Sequence, residues 1–378
     1  MRPGGLEFPW KRFQLRMSIG APYCTTAVRV VLADPAAFTP QYDHELAAAL
    51  ARAGAEVELV TSRFRFGAAP AASGYMRTEV FYPVTSRIFG RSRLRLPFKL
   101  LEHPFGMAWL AAVPRDVLHV QWLAAPPMDN GLFRPRPPTV FTAHDLIPRR
   151  TARREHLWRR LLGRFDRIVV HSERGAETLA GLGVQQDRVR VIPHPVFASD
   201  PARTDDGHTL LCLGVIRPYK GLGDAVEVVK RLDGARLLVA GDPLEPVAQY
   251  QAAAGPLAEW RLGYLAEQEL DRALGEATVA LFPYRAELDQ SGALLRALGA
   301  GVPAVVYDVG GLAEPVRAYG AGRVVPAGDV EALTAAAGEL LGDREALEEA
   351  RAGARRAREE LTWDVSAAAH LELYRELA

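Results

Sequence analysis

At 378 residues the chain is longer than one hydrophobic core usually serves, and its 49% apolar, 24% charged composition is that of an ordinary soluble protein, so two domains are expected. No apolar run is long enough to span a bilayer, and residues 1–27 lack the uninterrupted apolar stretch of a secretion signal. The net charge of +1 conceals an asymmetry: residues 28–198 carry 24 Lys and Arg against 15 Asp and Glu, whereas residues 199–378 carry 18 against 29.

Residues 1–27 read as a disordered arm, or as an upstream start with Met17 the true one. Strands are expected at Val28–Leu32, Val57–Val60, Val117–Val120, Thr139–Thr142, Ile168–His171 and Val189–Ile192, with a helix from Asp43 to Ala53 closed by Gly54. Phe197 to His208, rich in Ser, Asp, Pro and Gly, marks the junction of two halves, with 199–208 as the hinge linker. The second half, 209–360, repeats the scheme with strands at Thr209–Leu213, Leu237–Ala240, Glu259–Leu262, Val279–Phe282, Ala304–Tyr307 and Gly322–Val325. A last amphipathic helix, Asp364 to Leu377, follows Leu361-Thr362-Trp363. Apolar strands alternating with helical patterns predict an α/β fold of two Rossmann-like, doubly wound parallel sheets, whose ligands gather at the carboxyl ends of the strands. Cys24 lies in the arm and Cys212 inside a predicted buried strand, so neither a disulfide nor a metal site is expected and a reducing cytoplasm fits.

Two loops carry the chemistry. Gly214-Val215-Ile216-Arg217-Pro218-Tyr219-Lys220-Gly221 follows a strand and presents two cations. Seventy residues on, Tyr284 to Gly292 follows another strand, and Ser291-Gly292 opens a helix. Together they read as a diphosphate clamp, because an anion there meets free backbone N–H groups, the positive end of a helix dipole and fixed cations. Alone, each half also fits a surface turn with solvated cations, and Lys220 is followed by Gly rather than the Ser or Thr of a Walker loop.

The segments Leu213 to Gly221, Phe282-Pro283-Tyr284-Arg285, Gln290-Ser291-Gly292, Gly299 to Pro303 and Asp308 to Glu314 resemble the donor half of the retaining GT-B glycosyltransferases, glycosyltransferase family 4. Asp116 to Trp122, Thr142-Ala143-His144-Asp145, Val170 to Glu173 and Val191 to His194 are similar to the first half of the same family. The ending from Thr362-Trp363-Asp364 to Leu373-Tyr374 also looks like it, where the final helix, within 361–378, crosses back to the first domain. The resemblance implies transfer of a sugar from a nucleoside diphosphate donor to an acceptor hydroxyl with retention. Arg217 and Lys220 would neutralise the leaving diphosphate. Gln290, Ser291 and Gly292 would hold the distal phosphate or the sugar, and Tyr264 and Leu265 would face the base. His144 would contact the donor sugar as an orienting or proton-relaying group, the alternative being a strand-end histidine bonded to backbone. His119, His171 and His194 read as structural. No Asp-x-Asp sequence occurs, so metal independence is expected, with no cofactor beyond the donor.

Two departures from the family stand out. Arg296 occupies the place of a ribose-binding glutamate, and Leu288 that of its partner, for which Glu287 or Asp289 would substitute unless Arg296 itself pairs with a carboxylate or phosphate. The first loop, Asp34 to Tyr42, lacks glycine. Its Phe38, Thr39 and Tyr42 read either as an acceptor-side surface that stacks on a sugar or flat acceptor, or as ordinary core contacts. Two basic stretches with interleaved apolar residues, Arg87–Lys99 and Arg149–Arg164 around Leu157, Trp158, Leu161 and Leu162, suit either a solvated helix face or peripheral contact with an anionic membrane carrying a lipid-linked acceptor. The expected partners are thus a nucleotide-sugar and a carbohydrate, lipid-linked or small-molecule acceptor, with no nucleic acid. The expected place is the cytoplasm or the inner face of the plasma membrane, in polysaccharide, glycolipid or small-molecule glycosylation. A nucleotide-sugar epimerase of the same fold, and a non-catalytic nucleotide-binding partner subunit, are the competing readings.

Overall fold

The computed structural model describes residues 27–88, 95–136, 138–146 and 154–377. The expected N-terminal arm, with Met17 and Cys24, lies outside them, as do parts of both basic stretches.

The first sheet contains β1 (Arg29–Asp34), β2 (Glu56–Ser62), β3 (Met76–Phe81), β4 (Val117–Val120), β5 (Thr139–Thr142), β6 (Arg167–Val170) and β7 (Val189–Val191), all parallel in the order β3-β2-β1-β4-β5-β6-β7. Its helices are α1 (Pro40–Arg52), α2 (Thr85–Ile88), α3 (Arg95–Ala112), α4 (Pro126–Leu132), α5 (Glu155–Leu162) and α6 (Glu173–Gly181). The second sheet contains β8 (Thr209–Leu213), β9 (Arg236–Gly241), β10 (Ala258–Leu262), β11 (Val279–Phe282), β12 (Ala304–Tyr307) and β13 (Gly322–Val325), parallel in the order β10-β9-β8-β11-β12-β13. With it go α7 (Leu222–Arg231), α8 (Ala248–Ala254), α9 (Glu267–Glu276), α10 (Gly292–Gly299), α11 (Ala313–Tyr319), α12 (Val330–Gly342) and α13 (Arg344–Glu360), followed by α14 (Trp363–Leu377).

Central strands such as β4, β5, β11 and β12 are buried at every position, because helices cover both sheet faces and leave no side for alternation. Each sheet has an apolar cluster on either face. The fold class is therefore the expected one. α14 leaves the second lobe and packs on the first, where Trp363, Ala367, Leu371 and Tyr374 join Val30, Leu46 and Val117 in one cluster.

Strand β3 has no counterpart among the expected strands. It is an edge strand reading Met-Arg-Thr-Glu-Val-Phe, and an edge needs only one partner and tolerates charged residues, so it lacks the apolar run that marked the others. The basic stretch at α5 is a correction to the membrane-surface reading. Trp158, Leu161 and Leu162 are core residues, and Arg164 donates to the carbonyls of Asp129 at 3.1 Å and Phe133 at 2.8 Å. Exposed apolar side chains gather instead on α3, at Leu96, Phe98, Leu100, Leu101, Phe105 and Trp109.

Candidate active site in the interlobe cleft

Strand order reverses between β8 and β11, and loops leaving that point cannot be covered by crossover helices, so a crevice opens there. The loop after β8 ends in a turn, Pro218–Lys220, closed by Gly221 at φ 68°. A Cβ on Gly221 would stand 2.0 Å from the Pro283 carbonyl oxygen, so only glycine lets this loop lie against the loop after β11. The Arg285 amide donates to the Tyr219 carbonyl at 2.7 Å. The Arg285 guanidinium grips Asp224 at 2.5 and 3.0 Å, and the Tyr307 hydroxyl donates to the same carboxylate at 3.0 Å. The two loops are thereby fastened into one unit.

Within that unit the Lys220 ammonium lies 5.0 Å from the centre of the Tyr284 ring. A Cβ placed on Gly214 would be 3.2 Å from Lys220 Nζ and 3.3 Å from Ala293 Cβ, which puts the cation beside the first turn of α10. Tyr284 and Ser291 share a hydroxyl–hydroxyl hydrogen bond of 3.2 Å. Ser291 caps α10 by accepting from the Leu294 amide, while Gln290 Oε1 accepts from the Ser291 amide and its Nε2 donates to the Gly311 carbonyl, both at 3.0 Å. The side chains of Gln290 and Ser291 are thus committed to shaping the loop. Among the described residues the Gly292 and Ala293 amides meet no acceptor, and they are the donors left for an anion. Arg217, half-buried at the entry to the turn, has no carboxylate partner among the described residues.

Beyond β10, Tyr264 is half exposed and Leu265 turns onto the second-lobe core, so Tyr264 alone offers a face to a base. Phe64 and Phe66 of the first lobe approach the Tyr264 ring at 5.8 and 6.5 Å between centroids, an aromatic group that sequence spacing gave no means of assembling. Arg296 pairs with both oxygens of Glu267 at 2.8 and 2.9 Å and lies over the Phe197 ring, which takes it out of ribose binding. Asp289 is also withdrawn as a substitute, being fully buried against the first lobe. Glu287 is exposed and 4.0 Å from Arg174.

On the first lobe the switch point lies between β1 and β4. Asp34 ends β1 and accepts from the amides of Ala36, Phe38 and Thr39 at 3.2, 2.6 and 3.1 Å, which fixes the glycine-free loop. Burial pushes the carboxyls of Asp34 and its neighbour Asp43 up, so the pair holds a proton. Phe38, 52% exposed, stands edge-on to Trp122, whose Nε1 donates to Thr39 Oγ1 at 2.8 Å. Phe38 and Thr39 therefore line the cleft with Trp122, a residue missed as a candidate although it ends β4 at the switch point. Tyr42 does not line it. It is a core residue of α1, 2% exposed, ringed by His144, His171, His194 and Trp363, because a helix beginning at Pro40 turns that side chain under the sheet end.

His144 sits at the end of β5, half-buried and stacked on Trp122 at 5.2 Å. Assigned from its hydrogen bond, Nε2 donates to Gln121 Oε1 at 3.0 Å, and Gln121 is in turn beside His119, which bonds Thr142 and the Tyr374 hydroxyl of α14. Burial, then the neighbouring histidines, holds His144 well below its usual titration range. It is a neutral ring whose Nδ1 lone pair remains to accept a hydroxyl proton. His119, His171 and His194 are buried and bonded within the lobe, as structural residues are.

Two doubly wound parallel lobes with loops converging on a shared crevice are the GT-B architecture. The profile described as Glycosyltransferase Family 4 matches residues 41–199 and that described as Glycosyl transferases group 1 matches residues 207–343. The two matches together span most of the chain, which belongs to this family. It is similar to 2-deoxystreptamine N-acetyl-D-glucosaminyltransferase of Streptomyces fradiae, 31% identical over 208 residues that cover 49% of each chain; the match spans about half that relative's length. Among solved structures, sucrose-phosphate synthase from Thermosynechococcus elongatus superposes with a TM-score of 0.73 at 19% identity, over 92% of this chain and 98% of that one. Anabaena HepE in complex with UDP and glucose superposes at 0.67 and 13% identity, over 93% and 100%.

Proposed function

We propose that this chain is a retaining, metal-independent transferase that moves a sugar from a nucleoside diphosphate donor to an acceptor hydroxyl. The observation that carries the reading is the Lys220 ammonium beside the first turn of α10, at the switch point of the second sheet. As the glycosidic bond to the donor breaks, charge grows on the departing diphosphate. Lys220, Arg217 and the Gly292 and Ala293 amides would stabilise it. Tyr264 offers a stacking face for the base. His144, neutral with a free lone pair, would accept a hydrogen bond from a sugar hydroxyl, and Phe38, Thr39 and Trp122 would receive the acceptor. Since Arg296 is paired with Glu267, ribose recognition falls to backbone groups or to Glu287.

UDP sugars are the first donors to test, since HepE is described in complex with UDP. The 2-deoxystreptamine in the Streptomyces relative's name supports a small-molecule acceptor. A lipid-linked acceptor at the inner membrane face is supported by α3: its exposed apolar side chains face outward from a lobe with excess positive charge, and its one acid, Glu102, is spent on accepting from Val84 and Thr85. The described helices include none long and apolar enough to cross a membrane, so such contact would be peripheral. Sedimentation with anionic vesicles tests it, with Leu101→Asp/Phe105→Asp expected to stay in the supernatant.

Incubation with a sugar nucleotide and acceptor tests the reaction. Transfer releases free nucleoside diphosphate and yields a product with the donor's anomeric configuration. Intact donor with an inverted sugar centre would favour the epimerase reading instead, and nucleotide binding without turnover the partner-subunit one.

A further inference from the structure

We propose that Asp289 and Glu314 are positioning residues that latch the second lobe onto the first, and that releasing this latch opens the cleft. Asp289 is fully buried and accepts from the His171 amide and the Ser172 hydroxyl, each at 2.5 Å. The two oxygens of Glu314 accept from the amides of Glu173 at 3.0 Å and Arg174 at 2.9 Å. Ser172 itself caps α6 by accepting from the Gly175 amide at 2.8 Å. The first-turn amides of a helix are normally satisfied by its own cap or by water. In α6 the first two are completed by the Glu314 carboxylate from the opposite lobe, with the charge sign that the helix dipole favours, while Asp289 holds the N-cap residue Ser172.

Asp289 sits on a loop of the diphosphate seat, and Glu314, in the first turn of α11, is tied to that loop through Gly311. Asp289 immediately precedes Gln290-Ser291-Gly292, and Glu314 lies three residues after Gly311, the carbonyl to which Gln290 donates. A donor settling on α10 therefore bears on the segment that carries Asp289 and, through the Gln290–Gly311 hydrogen bond, on the turn that leads into Glu314. Lys220 belongs to one lobe and His144 to the other, so the latch would set the gap across which the sugar moves. That last role rests on the proposed transfer reaction; the latch does not.

Gly175 supplies an independent handle. A Cβ there would come within 2.4 Å of Asp289 Oδ1. Gly175→Ala should obstruct Asp289 while favouring the helix it sits in, since Ala is the better helix former. The experiment is an interlobe distance measurement by electron spin resonance on the ligand-free full chain, with labels at exposed Glu79 and Asp233 after Cys24 and Cys212 are replaced by Ser. Wild type should give one short, narrow distribution. Gly175→Ala and Glu314→Ala should add a longer population, with Glu314→Gln intermediate because its amide oxygen still accepts one N–H. Circular dichroism and melting curves identify any variant that fails to fold, and Gly175→Ala keeps the test decisive if Glu314→Ala does. Coincident distributions in folded wild type and Gly175→Ala, or a wild type already broad and long, would overturn the latch. Failure of sugar transfer would leave these distances unaffected and would count only against the proposed reaction.

Discussion

Lys220 owes its position to neighbours that are small or aromatic. Gly214 leaves room for the ammonium and Tyr284 gives it a π face, so the charge is held near the first turn of α10. Lys220→Ala should therefore lower kcat by roughly 10²–10³-fold, the loss typical of one removed transition-state donor, measured by nucleoside diphosphate release in a protein whose melting temperature is little changed. Phe38→Ala should act differently: its ring is exposed and, among the described rings, stands against Trp122, so the expected effect is a raised KM for acceptor with the donor KM unchanged. The positions of the motif loops were legible because such loops follow strands. Tyr42 was not, because its fate depends on where α1 begins, and Pro40 starts it early enough to bury the ring. Nor was Asp289: only the meeting of two lobes, more than a hundred residues apart in sequence, shows that its partners are His171 and Ser172.

At the scale of elements, the site depends on two loops that are locked by Gly221 and the Arg285–Asp224–Tyr307 cluster. Gly221→Ala puts a methyl group against the Pro283 carbonyl at a left-handed φ, and should cost upwards of ~1 kcal/mol, seen as a lower denaturation midpoint together with weaker nucleotide binding. Apolar runs located twelve of the strands, since a strand buried on both faces has a signature that needs no partner to be read. The edge strand β3 escaped because half of its surface is solvated. The membrane-facing reading of α5 failed for a related reason: an arginine-rich helix with a tryptophan has the same pattern whether its apolar stripe meets lipid or a sheet, and only packing decides. The stripe on α3, which meets no sheet, was hidden because Leu, Phe and Trp on a helix read as core.

For the whole molecule, the buried histidines govern the response to acid. His119, His144, His171, His194 and His370 are all held below their usual range, chiefly by burial, with His171 and His370 down to about 4. Their stabilising contribution is full above about 6.5 and is lost as pH falls toward the folded values, because the unfolded chain takes up protons that the fold refuses. Three carboxyls oppose this. Burial lifts Asp289 to about 7 and keeps a proton on the Asp34–Asp43 pair, so the fold binds protons there that the unfolded chain releases. Five histidines against three carboxyls leave the unfolded state with the greater uptake as pH falls from 6.5 to 5. Melting temperature should fall across that interval, and a flat or rising profile would count against the buried histidine cluster.

The account turns on a diphosphate seat formed by Lys220 and the first turn of α10. Its most direct test is the shift in melting temperature produced by UDP, with GDP, ADP and TDP in parallel, in wild type and in Lys220→Ala. Binding to the folded state alone raises stability by mass action. At least one nucleoside diphosphate should raise the wild-type melting temperature by several degrees and the variant's far less; equal shifts in the two proteins, or none in wild type with any of the four, would contradict the seat.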